Sequence, residues 1–127
     1  MSQDRVDEEL ARNGGLSYIH IPATDPSASA DFYERVFGWT IYRPSPRRVS
    51  FQDGTRHVAG AFVTDQAVSR EPGFLPYIYV DDLDGTIAKV EAEGCEVVAP
   101  GGPQGNLRIA TVRDPAGNAI GLWQEAG

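Results

Sequence analysis

The chain repeats itself. Leu16-Ser17-Tyr18-Ile19-His20-Ile21 resembles Leu75-Pro76-Tyr77-Ile78-Tyr79-Val80, and Ala59-Gly60-Ala61-Phe62 resembles Ile120-Gly121-Leu122-Trp123. Each pair opens or closes a block of roughly 50 residues, and a repeat of that period marks a fold built from two similar supersecondary units. Two such units would enclose a cleft, and a cleft is where a small molecule binds.

Periodicity fills in the units. Residues 1–14 are read as a polar tail or a short Asp4–Arg12 helix that breaks at Asn13-Gly14-Gly15. Module one spans about 16–63, a linker 64–74, and module two about 75–124, within a single domain over 15–127. In module one a strand from Leu16 leads through Pro22–Pro26, with Asp25 or Ser27 as cap, into a helix over Ser27–Phe37 stopped by Gly38. Strands follow at Trp39–Tyr42, Arg48–Phe51 and Thr55–Val63, the last two joined by a two-residue turn at Asp53-Gly54. Module two repeats this with strands at Leu75–Val80, Glu96–Val98, Leu107–Val112 and Asn118–Gln124, and a helix over Asp82–Glu93. Gly101-Gly102-Pro103 reads as a loop and Asp114-Pro115-Ala116-Gly117 as a turn. The predicted class is α+β: two βαβββ modules forming a curved mixed sheet around a cleft.

Strand parity then assigns faces. Ile19, Ile21, Ile78, Val80, Ile120 and Leu122 share the side that needs a helix over it, while Tyr18, His20, Tyr77, Tyr79, Gly121 and Trp123 share the other. An aromatic, hydroxyl-bearing face suits a pocket lining. Tyr18, Tyr77, Tyr79 and Trp123 either grip a planar ligand or fill space between sheets. His20 reads either as a hydrogen-bond donor or general base, or as a half-buried histidine satisfied by a tyrosine or a backbone carbonyl.

Composition narrows the partners. A net charge of -7 over 127 residues argues against nucleic acid and against anionic membranes, and is compatible with a cationic ligand. No apolar run approaches the roughly 20 residues of a membrane span. The single cysteine, Cys95, excludes an internal disulfide and a zinc cluster, and it reads as a small buried hydrophobe at a strand start. With no apolar leader visible, the cytoplasm is the expected compartment. Asp81, Asp82 and Asp84 read as complements to a helix dipole, and Arg43, Arg47 and Arg48 as a solvated loop. Gly101 to Gly105 lacks the Lys-Ser/Thr of a phosphate-binding loop.

Asp25-Pro26 through Phe32-Tyr33-Glu34-Arg35-Val36-Phe37-Gly38-Trp39, then Val80-Asp81-Asp82-Leu83-Asp84, then Asp114-Pro115-Ala116-Gly117-Asn118 resemble the vicinal oxygen chelate superfamily. That superfamily contains glyoxalase I, fosfomycin and bleomycin resistance proteins, and extradiol dioxygenases. The resemblance covers Gly15 to Gln124 and implies a homodimer. It also implies metal ligands at strand positions held here by Tyr18, Leu75, Gly121 and a residue near Gly60. None of these commonly binds a metal, so no metal and no cofactor are expected. His57, at the start of its strand and opposite Gly60 in parity, is expected to point away from the cleft.

The expected function is metal-independent binding of a small molecule by Tyr18, His20, Tyr77, Tyr79 and Trp123, in the manner of members that sequester a hydrophobic or cationic compound. The alternative is a lyase, isomerase or dioxygenase that uses His20 as base or in a non-standard metal site.

Overall fold

Asp25 and Asp82 do the same job in the two halves. Each sits in extended backbone and caps a helix, accepting from Ala28 N (3.2 Å) and Gly85 N (3.0 Å) respectively. The computed structural model describes residues 8 and 10–126. The chain divides into two compact units, the first ending at Asp65 and the second beginning at Gln66.

The first unit runs β1 (Tyr18–Pro22), α1 (Pro26–Phe37), β2 (Thr40–Ser45), β3 (Arg48–Gln52) and β4 (Ala59–Val63), in sheet order β1-β4-β3-β2. The second runs β5 (Tyr77–Tyr79), α2 (Leu83–Ala92), β6 (Val97–Gln104), β7 (Leu107–Arg113) and β8 (Ala119–Glu125), in sheet order β5-β8-β7-β6. In each, the first strand pairs in parallel with the last, and the other pairs are antiparallel. These are the two βαβββ modules that the repeat predicts.

In each unit the helix buries one face of its sheet. Ala30, Phe32, Tyr33 and Val36 of α1 are buried, as are Ile21, Val49, Phe51 and Phe62 of the strands. Trp39, just past Gly38, stacks on Tyr33 at 4.5 Å and on Phe51 at 4.8 Å, and Phe51 meets Phe62 at 5.1 Å. Gly38 ends α1 in the left-handed conformation (φ 73°), which a glycine adopts without strain. The second core is aliphatic: Leu83 and Val90 of α2 lie with the buried Ala110, Val112, Ile120 and Leu122.

Three expectations need correction. The Asp53-Gly54 turn is not two residues long but spans 53–58, because the Asp53 carboxylate accepts from Thr55 N, Thr55 Oγ1 and Val58 N (3.2, 2.8 and 3.3 Å). β4 therefore begins at Ala59, and His57 belongs to the turn, not to a strand. Gly101-Gly102-Pro103 is not a loop but part of β6, with Gly102 opposite Ile109 and Pro103 opposite Arg108. An outer strand with register shifts tolerates a proline that a central strand would not. Arg43, Arg47 and Arg48 are not one loop: Arg43 is in β2, Arg48 in β3, and Arg47 in the short turn between them. The Asp4–Arg12 helix lies mostly outside the described residues, and 10–15 forms turns.

The Asp114 turn is a buried polar knot. One carboxylate oxygen accepts from the backbone N–H groups of Ala116, Gly117 and Asn118 (3.0, 3.1 and 2.9 Å), and the other from Asn118 Nδ2 (2.8 Å). Asn118 Oδ1 in turn accepts from Ser69 N at 2.8 Å, which pins the segment before β5 to the start of β8. Removing the carboxylate leaves several donors unsatisfied where Asp114 is only 3% exposed. Asp114→Ala is therefore expected to lower unfolding stability by about 2–4 kcal/mol, read by urea denaturation with an unchanged m-value.

Candidate functional site

With α1 over one face of the first sheet, the alternate side chains stand on the open face. Pairing of Tyr18 with Ala59, His20 with Ala61 and Ala61 with Ser50 sets Tyr18, His20, Ala59, Ala61, Ser50 and Gln52 on that face. A groove of about 1170 Å³ lies here. Alanines form its floor, Tyr18 and Tyr42 stand at its sides, and Arg47 and Arg48 lie at the β2–β3 end with Asp65 nearby in its lining. Tyr42 Oη donates to Gln52 Oε1 at 2.9 Å, so this pair is oriented before any ligand arrives.

Tyr18 is 63% exposed, and its ring meets His20 edge-on with centroids 5.5 Å apart. His20 is exposed, not half-buried, and it is outside the groove's lining although it shares the face. Tyr42, Gln52, Ser50 and the two arginines were not read from the sequence as site residues. The available signal was parity: Ile41 faces α1, so Thr40 and Tyr42 face away, and Ser50 and Gln52 flank the buried Phe51 in the same manner. Arg43 takes the other side and binds α1 through Asp31 Oδ1 (2.6 Å) and Ser27 Oγ (2.7 Å).

The second sheet has an open aromatic face of its own. Tyr77 pairs with Gly121 and Tyr79 with Trp123, so all four share it with Thr111 and Ile109. A β-carbon on Gly121 would run into the Tyr77 ring, so the glycine makes room for the tyrosine to lie across the strand. Tyr79 and Trp123 meet edge-on at 4.9 Å. Tyr77 and Tyr79 are 44% and 48% exposed. The structure thus places Tyr18 and His20 on one sheet's open face, and Tyr77, Tyr79 and Trp123 on the other's.

The implied metal positions can be tested on chemistry. Backbone pairing corrects the first module: Gly60 lies opposite Ile19 and Phe51 on the helix side, where a β-carbon would approach the Phe51 ring to 2.6 Å. Ala23 N donates to Val63 O and Val80 N to Trp123 O, which makes Ala61 the counterpart of Gly121. The repeat as aligned in the sequence is thus one residue out at β4, and one residue changes the face. The four positions hold Tyr18, Ala61, Leu75 and Gly121. A phenol, a methyl, an isobutyl group and a hydrogen do not fit a divalent ion, which needs several oxygen or nitrogen donors at about 2.0–2.6 Å. Among the described residues, no three His, Cys, Asp or Glu converge into a metal-binding group.

Tyr79 and Cys95 have shifted protonation. The Tyr79 phenol is raised above its ordinary value, chiefly by its hydrogen bond to the Asp81 carboxylate, then by its surroundings and the charges of Asp81 and Glu125. The Cys95 thiol is raised by burial first and then by Asp114 and Glu93, so it holds less thiolate than a free cysteine and is a poor nucleophile. A folded-state phenol pKa above the unfolded value stabilises the fold fully below pH about 10 and loses that contribution as pH rises through the folded pKa. Asp81→Asn should therefore shift one tyrosine transition to lower pH in an absorbance titration at alkaline pH.

The Glyoxalase/Bleomycin resistance protein/Dioxygenase superfamily model matches residues 15–122. A Mycobacterium tuberculosis protein described as "Putative glyoxylase CFP32" is 32% identical over 121 residues, covering 89% of this chain and 46% of that protein. The anthracycline biosynthesis protein DnrV of Streptomyces peucetius is 29% identical over 130 residues, covering 88% and 47%. The chain thus spans about half the length of the curated relatives it matches. Among solved structures, a glyoxalase/bleomycin resistance protein/dioxygenase family enzyme from Burkholderia phytofirmans PsJN superposes with a TM-score of 0.72 at 21% identity over 85% of this chain and 96% of that one. TnmS3, an antibiotic-binding protein from Streptomyces sp. CB03234, does so at 0.68 and 24% over 89% and 97%. At these identities the structural likeness establishes the fold. No helix among the described residues is long and apolar enough to cross a membrane.

Proposed function

The chain belongs to the Glyoxalase/Bleomycin resistance protein/Dioxygenase superfamily, and from that premise we propose that it binds a small planar organic molecule without the help of a metal. The observation that carries this reading is the pair of helix-free sheet faces. They expose Tyr18, Tyr42, Tyr77 and Tyr79 over floors of Ala59, Ala61 and Gly121, where the packing of the two cores gives no reason for aromatic rings. Rings supply stacking area at low entropic cost, and hydroxyls orient a ligand. The donor set at Tyr18, Ala61, Leu75 and Gly121 supports metal independence, and the antibiotic-binding neighbour makes a binding role familiar on this fold. We assign ligand contact to Tyr18, His20, Tyr77, Tyr79 and Trp123, with Tyr42 and Gln52 added from the groove.

His20 favours a second reading, because an exposed imidazole beside Tyr18 is placed to accept a proton from a bound compound. The two readings separate on one substitution. For a binding protein, His20→Ala weakens affinity by about 1–2 kcal/mol at most. For an enzyme it cuts turnover by about 10²-fold or more and leaves affinity nearly unchanged. Tyr18→Ala should weaken binding of aromatic compounds by about three- to tenfold, as loss of one aromatic contact implies. A calorimetric titration after a thermal-shift screen measures both.

We also propose that two copies associate. Each four-stranded sheet has two outer strands, and unpaired strand edges invite partners. Light scattering at micromolar concentration should give twice the chain mass.

A further inference from the structure

We infer that the groove of the first sheet is built for the anionic end of its ligand: an aromatic compound bearing a carboxylate or similar acid, with the acid held by Arg47 and Arg48. This rests on the small-molecule reading above and adds the ligand's charge to it.

The argument is local. The chain carries a net charge of -7, yet two adjacent arginines are among the residues lining this groove. Three other arginines are neutralised by the protein itself: Arg43 holds Asp31 (2.6 Å), Arg108 holds Asp84 (2.9 Å) and Arg113 holds Glu96 (3.4 Å). Among the described residues, the side chains of Arg47 and Arg48 have neither an ion-pair nor a hydrogen-bond partner. The carboxylate that shares the groove's lining, Asp65, forms no salt bridge with either. A tight β2–β3 turn seats the two arginines beside each other, with only Pro46 and Arg47 between the paired Ser45 and Arg48. Two adjacent guanidinium forks present donors in the planar geometry that a carboxylate accepts.

The rest of the groove fits the other half of such a molecule. Ala59 and Ala61 give a flat floor, Tyr18 and Tyr42 give ring faces, and the Tyr42–Gln52 hydrogen bond fixes an edge that can read a polar substituent. The net charge of -7 is compatible with a cationic ligand. The charge that a bound molecule meets is that of the groove's end, since at about 0.15 M salt charges beyond roughly 8 Å are screened.

The test uses the full chain and three naphthalene probes: 2-naphthoate, its neutral isostere 2-naphthamide, and naphthylmethylammonium. Affinities are measured by calorimetry in low salt and at physiological salt. The expected result is that 2-naphthoate binds about tenfold more tightly than 2-naphthamide at low salt, the ratio shrinking as salt rises. The R47Q/R48Q double variant should bring the ratio to about one, chiefly by weakening 2-naphthoate, and R47K/R48K should keep part of it. Both arginines are exposed, so a fold defect is not expected, and matching melting temperatures verify this. Equal binding of acid and amide, tighter binding of the ammonium probe, or a preference for the acid that survives R47Q/R48Q each overturn the inference while leaving the small-molecule reading intact. No binding of any probe overturns both.

Discussion

Everything on the open faces follows from one constraint, the parallel pairing of the first and last strands in each module. A parallel pair needs a crossover, and here it runs through a helix packed against the sheet and then two further strands. Once α1 covers β3 and β4, the parity of Phe62 is fixed as inward, Ile21 follows by its pairing with Phe62, and Tyr18, His20 and Ala61 must face out. Gly60 is the tight point of this joint. A β-carbon there would run into the Ile19 carbonyl and the Phe51 ring, so the position has no room for a side chain. The same pairing in the second unit puts Gly121 on the outer face, where it makes room for Tyr77. The two glycines thus serve opposite sides of the fold.

That difference shows how far the sequence was legible. The helices were clear because their caps are chemical and local: Asp25 with Pro26, Gly38, and Asp82. The faces of the strands were clear because a period of two survives errors of two. Aligning Leu16 with Leu75, where the backbone bonding makes Ala23 the counterpart of Val80, misplaces the repeat by two residues and still leaves Tyr18 and Tyr77 on outward faces. Aligning Gly60 with Gly121 misplaces it by one and changes the face, which hid Ala61. The turn at 53–58 was missed because Asp53-Gly54 is a short-turn signal by backbone preference. The Asp53 side chain captures two backbone N–H groups and the Thr55 hydroxyl and draws more residues into the turn. β6 was shortened because glycine and proline count against a strand, although an outer strand with irregular register accepts both.

The charge of the groove was illegible for a different reason. Net charge is a sum over the surface, and most of this chain's acidic residues lie far from Arg47 and Arg48 in sequence. Which cations are neutralised depends on partners such as Asp31 for Arg43 and Asp84 for Arg108, separated by 12 and 24 residues. Arg108 holds the Asp84 carboxyl below its ordinary range by that bond, a sign that this positive charge is engaged within the protein. Spacing along the chain cannot separate an engaged arginine from one whose side chain has no partner. Pairing in space can.

The division between faces also lets the residues at the superfamily's ligand positions vary at little cost to stability. The residues at the superfamily's ligand positions, Tyr18, Ala61 and Gly121, are on open faces or floors, and Leu75 precedes β5. The cores draw on the other face. A fully buried residue such as Phe32, Phe51 or Leu122 contributes about 1.5–3 kcal/mol by leaving water, whereas a tyrosine that stays 63% exposed contributes a small part of that. Replacing an outward histidine or glutamate with tyrosine or glycine therefore changes the chemistry available to a ligand and leaves the helix-side packing nearly untouched. Selection on the ligand can act on one parity of each strand while selection on folding acts on the other. The two meet where a side chain of one face needs space taken from the backbone, as Tyr77 does above Gly121.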